Sequence, residues 1–330
     1  MAPVLDELLD FLQGGKSFLI AGHLEPDGDC IGSQLALASV LQRMGKETVL
    51  CSPGPFKRTE IKKFESLFTT KPQPKEGDRL ILLDCSSLER TGDLEALLKG
   101  LPTGLIDHHE TGNLNNKNSL MGGPLYIDVK APSTTYLVLK IIEGLGLVPT
   151  VNEAEYIFFG LCTDTGFFRH VDSTGENTFL AAAKLIAYGA NPKAAFADIH
   201  GGKSLDSRKL LGHILIRSES FFDGKLILSS EKLEETKLYG LEGRDSDSLY
   251  QLLQSVDGVE ALVVIRQESP EFCTVGFRSR DSLDVGKIAQ SLGGGGHKNA
   301  AGLKINGNID QIKETILALF KTELSPVVTK

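Results

Sequence analysis

The sequence has few cysteines, no long apolar run and no basic leader. Its five cysteines, at positions 30, 51, 85, 162 and 273, are odd in number and widely spaced, and none forms C-x-x-C. They therefore indicate neither a disulfide framework nor a thiolate zinc site. No apolar stretch approaches the ~20 residues of a membrane helix, and the acidic start MAPVLDELLDFLQGG is no signal peptide. We expect a cytoplasmic protein that is neither secreted nor inserted in a membrane.

An excess of positive charge is also missing. The chain has 35 Lys and Arg against 43 Asp and Glu, a formal net charge of −8. This balance argues against nonspecific binding along a nucleic-acid backbone, although it leaves a local basic groove open. An anionic substrate would have to be held locally. With 330 residues, 41% of them hydrophobic, the chain can build two domains with separate cores.

Short apolar runs alternate with helical patterns over residues 1–190, which is typical of βαβ units around a buried parallel sheet. The predicted strands are 17–22, 47–51, 79–84, 103–106 and 124–128. The predicted helices are 31–44, 55–68, 133–145, 153–165 and 176–189. We expect an α/β domain with a doubly wound, mainly parallel sheet.

A second, smaller α/β domain is predicted for residues 221–330. Residues 191–220 precede it as a helical linker with a break at Gly201-Gly202. The second domain is expected to have strands near 224–229, 260–266 and 272–280, and helices near 246–255, 284–292 and 309–322.

Six potential metal ligands stand in four separate, largely apolar segments: His23, Asp27 and Asp29 in HLEPDGDCIGS, Asp84 in LILLDCSS, His108 in GLIDHHE, and Asp164 in LCTDTGFF. Buried carboxylates are costly unless neutralised, and four aspartates with neutral imidazoles would balance two divalent cations. Three of the segments end predicted strands, where ligands of doubly wound sheets gather. The pattern predicts a two-metal hydrolase. Its nitrogen and oxygen donors suit Mn²⁺, Mg²⁺ or related ions.

Each segment also has a purely structural explanation. Asp29 could cap the following helix. Asp84 could bond a neighbouring loop at the end of its strand, and the histidine pair could lie on the surface. Hydrogen bonds from Thr163 and Thr165 could satisfy Asp164. The coincidence of all four segments favours metal binding.

In the second domain, CTVGFRSR alternates, so Arg278 and Arg280 are predicted to share one face of a strand. Two guanidinium groups side by side would bind a phosphate or carboxylate. The alternative is a solvated edge face. The GGGGH run that ends at His297 favours anion binding, because glycine backbone N–H groups can approach an anion closely.

Two Gly-Gly-Lys-Ser runs resemble the end of a phosphate-binding P-loop. The required first glycine is replaced by Asp10 in one and by Ala197 in the other. We therefore predict no nucleoside triphosphatase.

Taken together, the motifs resemble those of the DHH phosphoesterase superfamily. HLEPDGDCIGS, LLDCSS, LIDHHE and LCTDTGFFR are similar to its four motifs, and FRSR with GGGGHKNAAG is similar to the associated C-terminal domain. The resemblance spans nearly the whole chain. It implies the bacterial branch of oligoribonucleases, or nanoRNases, that also remove the 3′-phosphate of 3′-phosphoadenosine 5′-phosphate.

The resemblance also implies roles for single residues. One Mn²⁺ would be held by His23, Asp27 and Asp84, and the other by Asp29, Asp84, His108 and Asp164, so that Asp84 bridges; Mg²⁺ or Co²⁺ are the other candidate ions. Asp84, His109 and Asp107 would form the catalytic group, in which Asp107 orients a ligand and His109 contacts the scissile phosphate. The substrate would be received by His109, Arg278, Arg280, Gly295, Gly296 and His297.

The expected function is hydrolysis of very short RNA to mononucleotides, with 3′-phosphoadenosine 5′-phosphate as a further substrate, in a cleft between the two domains. A phosphodiesterase for cyclic or linear dinucleotides is the main alternative. A RecJ-like exonuclease would need further nucleic-acid-binding modules, and a polyphosphatase is a more distant possibility. A non-enzymatic nucleotide sensor would not need the complete ligand set. We include a homodimer among the expected assemblies.

Overall fold

The computed structural model describes residues 3–109, 122–280 and 283–324. The chain forms two compact units, Met1–Gly202 and Lys203–Lys330. The division falls in the predicted linker, directly after its Gly-Gly break. The limits 1–190, 191–220 and 221–330 for the catalytic domain, linker and substrate domain stay a prediction. Within the described ranges, every helix is too short or too polar to traverse a lipid bilayer.

The first unit contains a five-stranded parallel sheet with the order β2-β1-β3-β4-β5. Its strands are β1 Ser17–Ala21, β2 Glu47–Cys51, β3 Asp78–Leu83, β4 Thr103–Asp107 and β5 Leu125–Ile127. The predicted α/β class with a mainly parallel sheet is confirmed. The apolar runs were informative because a parallel sheet covered on both faces needs apolar side chains in both directions.

Alternate strand residues pack into two apolar layers. Ile20 and Ile81 belong to a large cluster with helices on one face, while Leu80 and Leu82 belong to a smaller cluster on the other. The helices of this unit are α1 Pro3–Gly14, α2 Gly28–Arg43, α3 Thr59–Lys62, α4 Glu95–Leu98, α5 Thr134–Gly144, α6 Val151–Asp164, α7 Glu176–Ala187 and α8 Pro192–His200.

The predicted helix 55–68 is wrong. The structure has only the four-residue α3 in this segment, followed by a 3₁₀ turn at Glu65–Leu67. Its apolar side chains nevertheless find partners, because Ile61 is fully buried and the rings of Phe56 and Phe68 lie 5.5 Å apart. Tertiary packing therefore satisfies the apolar spacing without a continuous helix.

The second unit contains a six-stranded sheet with the order β10-β11-β9-β8-β7-β6. Its strands are β6 Glu219–Phe221, β7 Leu226–Glu231, β8 Ala261–Gln267, β9 Phe272–Ser279, β10 Gly295–His297 and β11 Ala300–Asn306. The β7–β8 pair is parallel and the other pairs are antiparallel. Its helices are α9 Leu205–Ile216, α10 Leu233–Tyr239, α11 Ser246–Gln254, α12 Val285–Ser291 and α13 Ile309–Leu324.

The predicted strands and helices of the second unit are present, but the predictions did not include β6, β10, β11 or α10. The Gly-rich run was interpreted only as an anion-binding segment, and Gly295–His297 pairs with β11 as an antiparallel strand. Gly296 has a φ of 144°, and a Cβ there would lie 2.5 Å from the Ala300 carbonyl oxygen. Close approach of two backbones therefore requires a glycine at this position.

We expect Leu82→Ala to lower the free energy of unfolding by about 2–5 kcal/mol, because it leaves a cavity in the fully buried layer beneath β3. Leu97→Ala is the matched control, since Leu97 is 43% exposed and should change stability by less than about 0.5 kcal/mol. Urea unfolding of both variants checks this, and equal losses would contradict the assigned layer.

Candidate metal centre

Four sequence segments of the first unit bring polar side chains to the carboxyl edge of the parallel sheet. Ligands of doubly wound folds gather at this edge. Among the described residues, three groups have donor atoms within 4.8 Å of one another: His23, Cys30 and Asp84; Asp84, His108 and His109; and Asp29, His108 and Asp164. Residues up to 141 positions apart in sequence, such as His23 and Asp164, thus lie around one centre.

Asp84 lies between the groups. Its Oδ2 is 3.4 Å from His23 Nε2, and its Oδ1 is 3.7 Å from His108 Nε2. The residue is almost fully buried and has a φ of 57°, a left-handed conformation that costs energy for a residue with a side chain. Thr134 Oγ1 donates to its Oδ1 at 3.0 Å. A strained backbone therefore directs one carboxylate toward two imidazoles.

His108 has the geometry of a metal-binding histidine. Its Nδ1 lies 3.2 Å from the carbonyl oxygen of Ala131, to which it can donate, so Nε2 carries the lone pair. Nε2 is buried without a hydrogen-bond partner in the described part of the chain. It faces oxygens of Asp164, Asp84 and Asp29 at 3.5, 3.7 and 4.0 Å.

These distances are too long for hydrogen bonds. Ligands that each lie ~2.0–2.2 Å from a shared cation are roughly 3–4 Å from one another. The donors around His108 therefore fit a divalent cation.

His23 repeats this arrangement at the other side of Asp84. Its Nδ1 lies 2.8 Å from the carbonyl oxygen of Leu24, which leaves Nε2 facing carboxylates. Asp27 Oδ1 is 3.9 Å from this nitrogen and accepts hydrogen bonds from the backbone N–H groups of Asp29 and Cys30. Asp27, not Asp29, therefore caps α2, and the structural explanation considered for Asp29 is wrong.

Asp29 is fully buried against the start of α5. Its Oδ2 accepts from Thr134 N at 2.6 Å, and its Oδ1 accepts from Thr135 N at 2.9 Å and Thr135 Oγ1 at 2.7 Å. Burial nevertheless raises its pKa well above the usual range, and the charges of Asp84 and Asp164 add to this shift. The helix N-terminus alone therefore does not stabilise the crowded negative charge.

Thr134 and Thr135 are site residues that the sequence analysis missed. The signal was present, because the run APSTT places three hydroxyl residues at the start of a helix, where they favour capping. Cys30 was also missed as a potential ligand, since its position was judged only by cysteine spacing.

Asp164 ends α6 and faces His108. The hydroxyls of Thr163 and Thr165 donate to the carbonyl oxygens of Gly160 and Leu161, so the suggestion that these threonines satisfy Asp164 is wrong. Burial, with Asp84 adding to it and His108 opposing it, raises the pKa of Asp164 to about 6. A cation at His108 would favour the ionised form.

Asp107 holds the side chain of His109. Its Oδ1 accepts from the backbone N–H groups of His108 and His109 and lies 2.8 Å from His109 Nδ1. This hydrogen bond raises the pKa of His109, against an opposing effect of burial. The His109 side chain is 40% exposed, so its Nε2 is available to a ligand.

The other predicted site residues belong to the second unit. Arg278 lies in β9 with its guanidinium carbon 4.4 Å from the ring centroid of Tyr250, and it donates to the Phe277 carbonyl at 2.9 Å. Arg280 follows the strand and donates to the Gln254 carbonyl at 2.7 Å. The two arginines therefore contact different partners. Strand β10, which consists of Gly295, Gly296 and His297, is exposed.

Comparison with known proteins adds two domain matches. Residues 17–161 match the N-terminal domain of the DHH family, and residues 235–322 match the DHHA1 domain. The bifunctional oligoribonuclease and PAP phosphatase NrnA of Thermus thermophilus is 32% identical over 97% of this chain and 93% of its own length. Its namesake from Bacillus subtilis is 26% identical over 91% of this chain and 92% of its own.

Two further comparisons bear on fold and function. The cyclic-di-AMP phosphodiesterase GdpP of Bacillus subtilis is 25% identical over 95% of this chain, which matches 49% of GdpP. The solved structure of an exopolyphosphatase-related protein from Bacteroides fragilis is 22% identical, covers 98% of both chains and has a TM-score of 0.79. The likeness to the Bacteroides fragilis structure shows similarity of fold alone.

We expect Mn²⁺ at a hundred times its Kd to raise the free energy of unfolding by about 2.7 kcal/mol, because the unfolded chain separates the ligands. Asp84→Asn should remove most of this gain. Thermal unfolding with and without Mn²⁺ measures it. Asp172→Asn is the control, since Asp172 is exposed and its side chain accepts hydrogen bonds from the nearby Thr174. An undiminished gain in Asp84→Asn would contradict the central position of Asp84.

Proposed function

The chain belongs to the DHH family, and from this we propose that it is a phosphoesterase that hydrolyses very short oligoribonucleotides to mononucleotides. We also propose that it removes the 3′-phosphate of 3′-phosphoadenosine 5′-phosphate. The observation that carries the proposal is the position of Asp84 between two histidine-containing groups of metal ligands. Relatives that match nearly the whole chain and are named for these two activities support the choice of substrates.

We propose that two divalent cations act at this centre. One would be held by His23, Asp27 and Asp84, and the other by Asp29, Asp84, His108 and Asp164. The second set consists of nitrogen and carboxylate oxygen, which Mn²⁺ accepts; Mg²⁺ and Co²⁺ are alternatives. When bound, such cations would lower the pKa of a water molecule and offset charge on phosphoryl oxygens.

The protein's own residues would position the substrate for in-line hydrolysis, in which water adds to phosphorus and the P–O ester bond breaks. Asp107 fixes the imidazole of His109 through Nδ1. The exposed Nε2 of His109 would then donate a hydrogen bond to an oxygen of the scissile phosphate as negative charge develops there. Asp107 would contribute by orienting His109, since its Oδ1 accepts from the backbone N–H groups of His108 and His109 and lies 2.8 Å from His109 Nδ1.

We propose that the second unit binds the nucleotide through Arg278, Arg280, Gly295, Gly296 and His297. Arg278 has the most defined surroundings of these, because the Tyr250 ring supports its guanidinium group. Such a stacked arginine loses little conformational freedom when it binds a phosphate or a terminal group.

Preference for short substrates follows from charge. Each added nucleotide brings another phosphate toward a chain with a formal net charge of −8. A few local cationic contacts would offset the charge of a dinucleotide, whereas a long strand would meet repulsion without further contacts.

A phosphodiesterase for cyclic or linear dinucleotides is the second candidate function. It is favoured by the match to a cyclic-di-AMP phosphodiesterase over 95% of this chain. A non-catalytic nucleotide sensor would show no metal-dependent turnover. Assembly as a homodimer and a cytoplasmic location stay predictions.

A substrate panel tests the proposed function. We expect kcat/KM with Mn²⁺ to be highest for a diribonucleotide. It should fall by at least about tenfold for RNA beyond about five nucleotides, because the added phosphates meet repulsion without further cationic contacts. 3′-Phosphoadenosine 5′-phosphate should release inorganic phosphate, and cyclic di-AMP should react more slowly. The measurement is nucleotide and phosphate release by chromatography.

Asp84→Ala is the matched negative control for the panel and should abolish turnover of every substrate. Equal kcat/KM for the dinucleotide and a long RNA would contradict the short-substrate proposal. A preference for cyclic di-AMP would select the second candidate function.

We expect Arg278→Ala to lower kcat/KM for a diribonucleotide by the equivalent of about 1.5–3 kcal/mol, since a charge-assisted contact is lost. Tyr250→Leu should reproduce part of this loss through KM, whereas Tyr250→Phe keeps the ring and should be nearly neutral. His297→Ala should act in the same direction as Arg278→Ala. A small generic phosphodiester provides the control, because its metal-dependent hydrolysis should not change. Equal losses on both substrates with metals still bound would contradict nucleotide binding by Arg278.

A further inference from the structure

A thiol lies beside His23 and Asp84 in the candidate metal centre. Cys30, in the first turn of α2, is completely buried. Its Sγ, a ring nitrogen of His23 and a carboxylate oxygen of Asp84 all lie within 4.8 Å of one another. The geometry points to Cys30 as a thiolate ligand of the first cation, together with His23 and Asp84. This inference rests on the proposed metal-dependent function and adds a ligand to it.

The surrounding chain makes room for the sulfur. A Cβ at Gly22 would lie 2.2 Å from Cys30 Sγ and 2.9 Å from Gln34 Nε2, so a side chain at position 22 would occupy this space. Gly22 directly precedes His23. The residue that leaves space for the Cys30 sulfur is therefore the neighbour of the residue that carries the imidazole. The cavity for the thiol is therefore part of the first ligand segment.

Gln34 presents a donor to the sulfur. It is fully buried one turn after Cys30, and its Nε2 donates to Sγ at 3.4 Å. Its Oε1 has no hydrogen-bond partner in the described part of the chain. The amide thus directs its N–H group at the sulfur, which accepts the hydrogen bond. N–H donors of this kind orient metal ligands and tune their basicity.

Asp27, the ligand that the family resemblance implies for this subsite, uses one carboxylate oxygen as the cap of α2. Its Oδ1 accepts two backbone hydrogen bonds of 3.1 Å each as the cap of α2. Among the described residues it belongs to none of the three groups of converging donors, whereas Cys30 does. The first subsite therefore has a sulfur donor in addition to the oxygen donors of Asp27 and Asp84.

A sulfur donor changes which cation is preferred. Thiolates favour Zn²⁺, Cd²⁺ and Co²⁺ over Mn²⁺, while carboxylates and imidazole accept Mn²⁺. The second subsite, with Asp29, His108 and Asp164, offers only nitrogen and oxygen. The two subsites should therefore prefer different metals, and binding at the first should release the thiol proton to solvent.

Cobalt absorption tests the inference without reference to activity. The full-length protein, freed of metal by chelation, would be titrated with Co²⁺ while the near-ultraviolet sulfur-to-cobalt charge-transfer band is followed. The parent should develop the band as its first subsite fills. Cys30→Ala and Cys30→Ser should lose it, and Zn²⁺ affinity at this subsite should fall by at least about tenfold.

Cys273→Ala is the matched control, because Cys273 is equally buried but belongs to the second unit and bonds the Gly307 carbonyl. It should keep the band. A parent that binds two Co²⁺ ions without a sulfur band would overturn the inference, as would a band that persists in Cys30→Ala.

The chemical shift of ¹¹³Cd bound to the parent protein gives an answer even if the Cys30 variants do not fold. Thiolate-bound cadmium resonates far downfield of cadmium bound only by nitrogen and oxygen. Two resonances in the nitrogen and oxygen range would exclude Cys30 as a ligand. RNA hydrolysis with no sulfur signature would leave the proposed function standing and remove only Cys30. A sulfur signature without RNA hydrolysis would support Cys30 as a ligand and contradict the proposed function.

Discussion

Concentrated negative charge in a buried space is the constraint on which the first unit depends. Asp29 and Asp84 are almost fully buried, and Asp164 faces the same His108 nitrogen as both. Among the described residues, no lysine or arginine forms an ion pair with any of the three; the side chains that face them are the imidazoles of His23 and His108. Buried carboxylates without a counter-charge are costly, so the structure calls for cations that the chain itself does not provide.

The same chain shows how it treats a buried carboxylate that needs no metal. Glu153 is fully buried, and its carboxylate accepts hydrogen bonds from Arg43 and Ser39. Glu231, also fully buried, receives both Arg244 and Arg266. Each of these acids is neutralised by arginine side chains of the protein itself, and the ion pairs connect different helices and strands. The contrast supports the proposal that the Asp84 region is a binding site and not a structural ion network.

Secondary structure provides the precision of the site. The carboxyl ends of β1, β3 and β4 bring three segments to one edge, and the N-termini of α2 and α5 direct backbone N–H groups at Asp27 and Asp29. The strained left-handed backbone of Asp84 is maintained because the four strand residues before it, 80–83, are fully buried. A rigid sheet can hold such strain where a free loop would relax it.

Much of this could be predicted from the sequence by itself. The strands of the first unit follow from apolar runs that are long enough to be buried on both faces, and the ligand segments follow from acids and histidines at the ends of those runs. Local chemistry determines such features, since they depend on a few neighbouring residues. The segment 55–68 and the strand β10 were not predictable in this way. Segment 55–68 packs its apolar side chains one by one against the rest of the first unit without forming a continuous helix. Strand β10 forms only through pairing with β11.

Only the tertiary structure decided which donors face one another. The sequence placed Asp27 and Asp29 on one turn but did not show that Asp27 caps α2 while Asp29 meets the start of α5, more than 100 residues later. It likewise gave no sign that Cys30 would meet His23 and Asp84, or that Tyr250 would support Arg278. Residue type and local spacing are written in the sequence, whereas the distances between donor atoms arise from packing between segments that are remote along the chain.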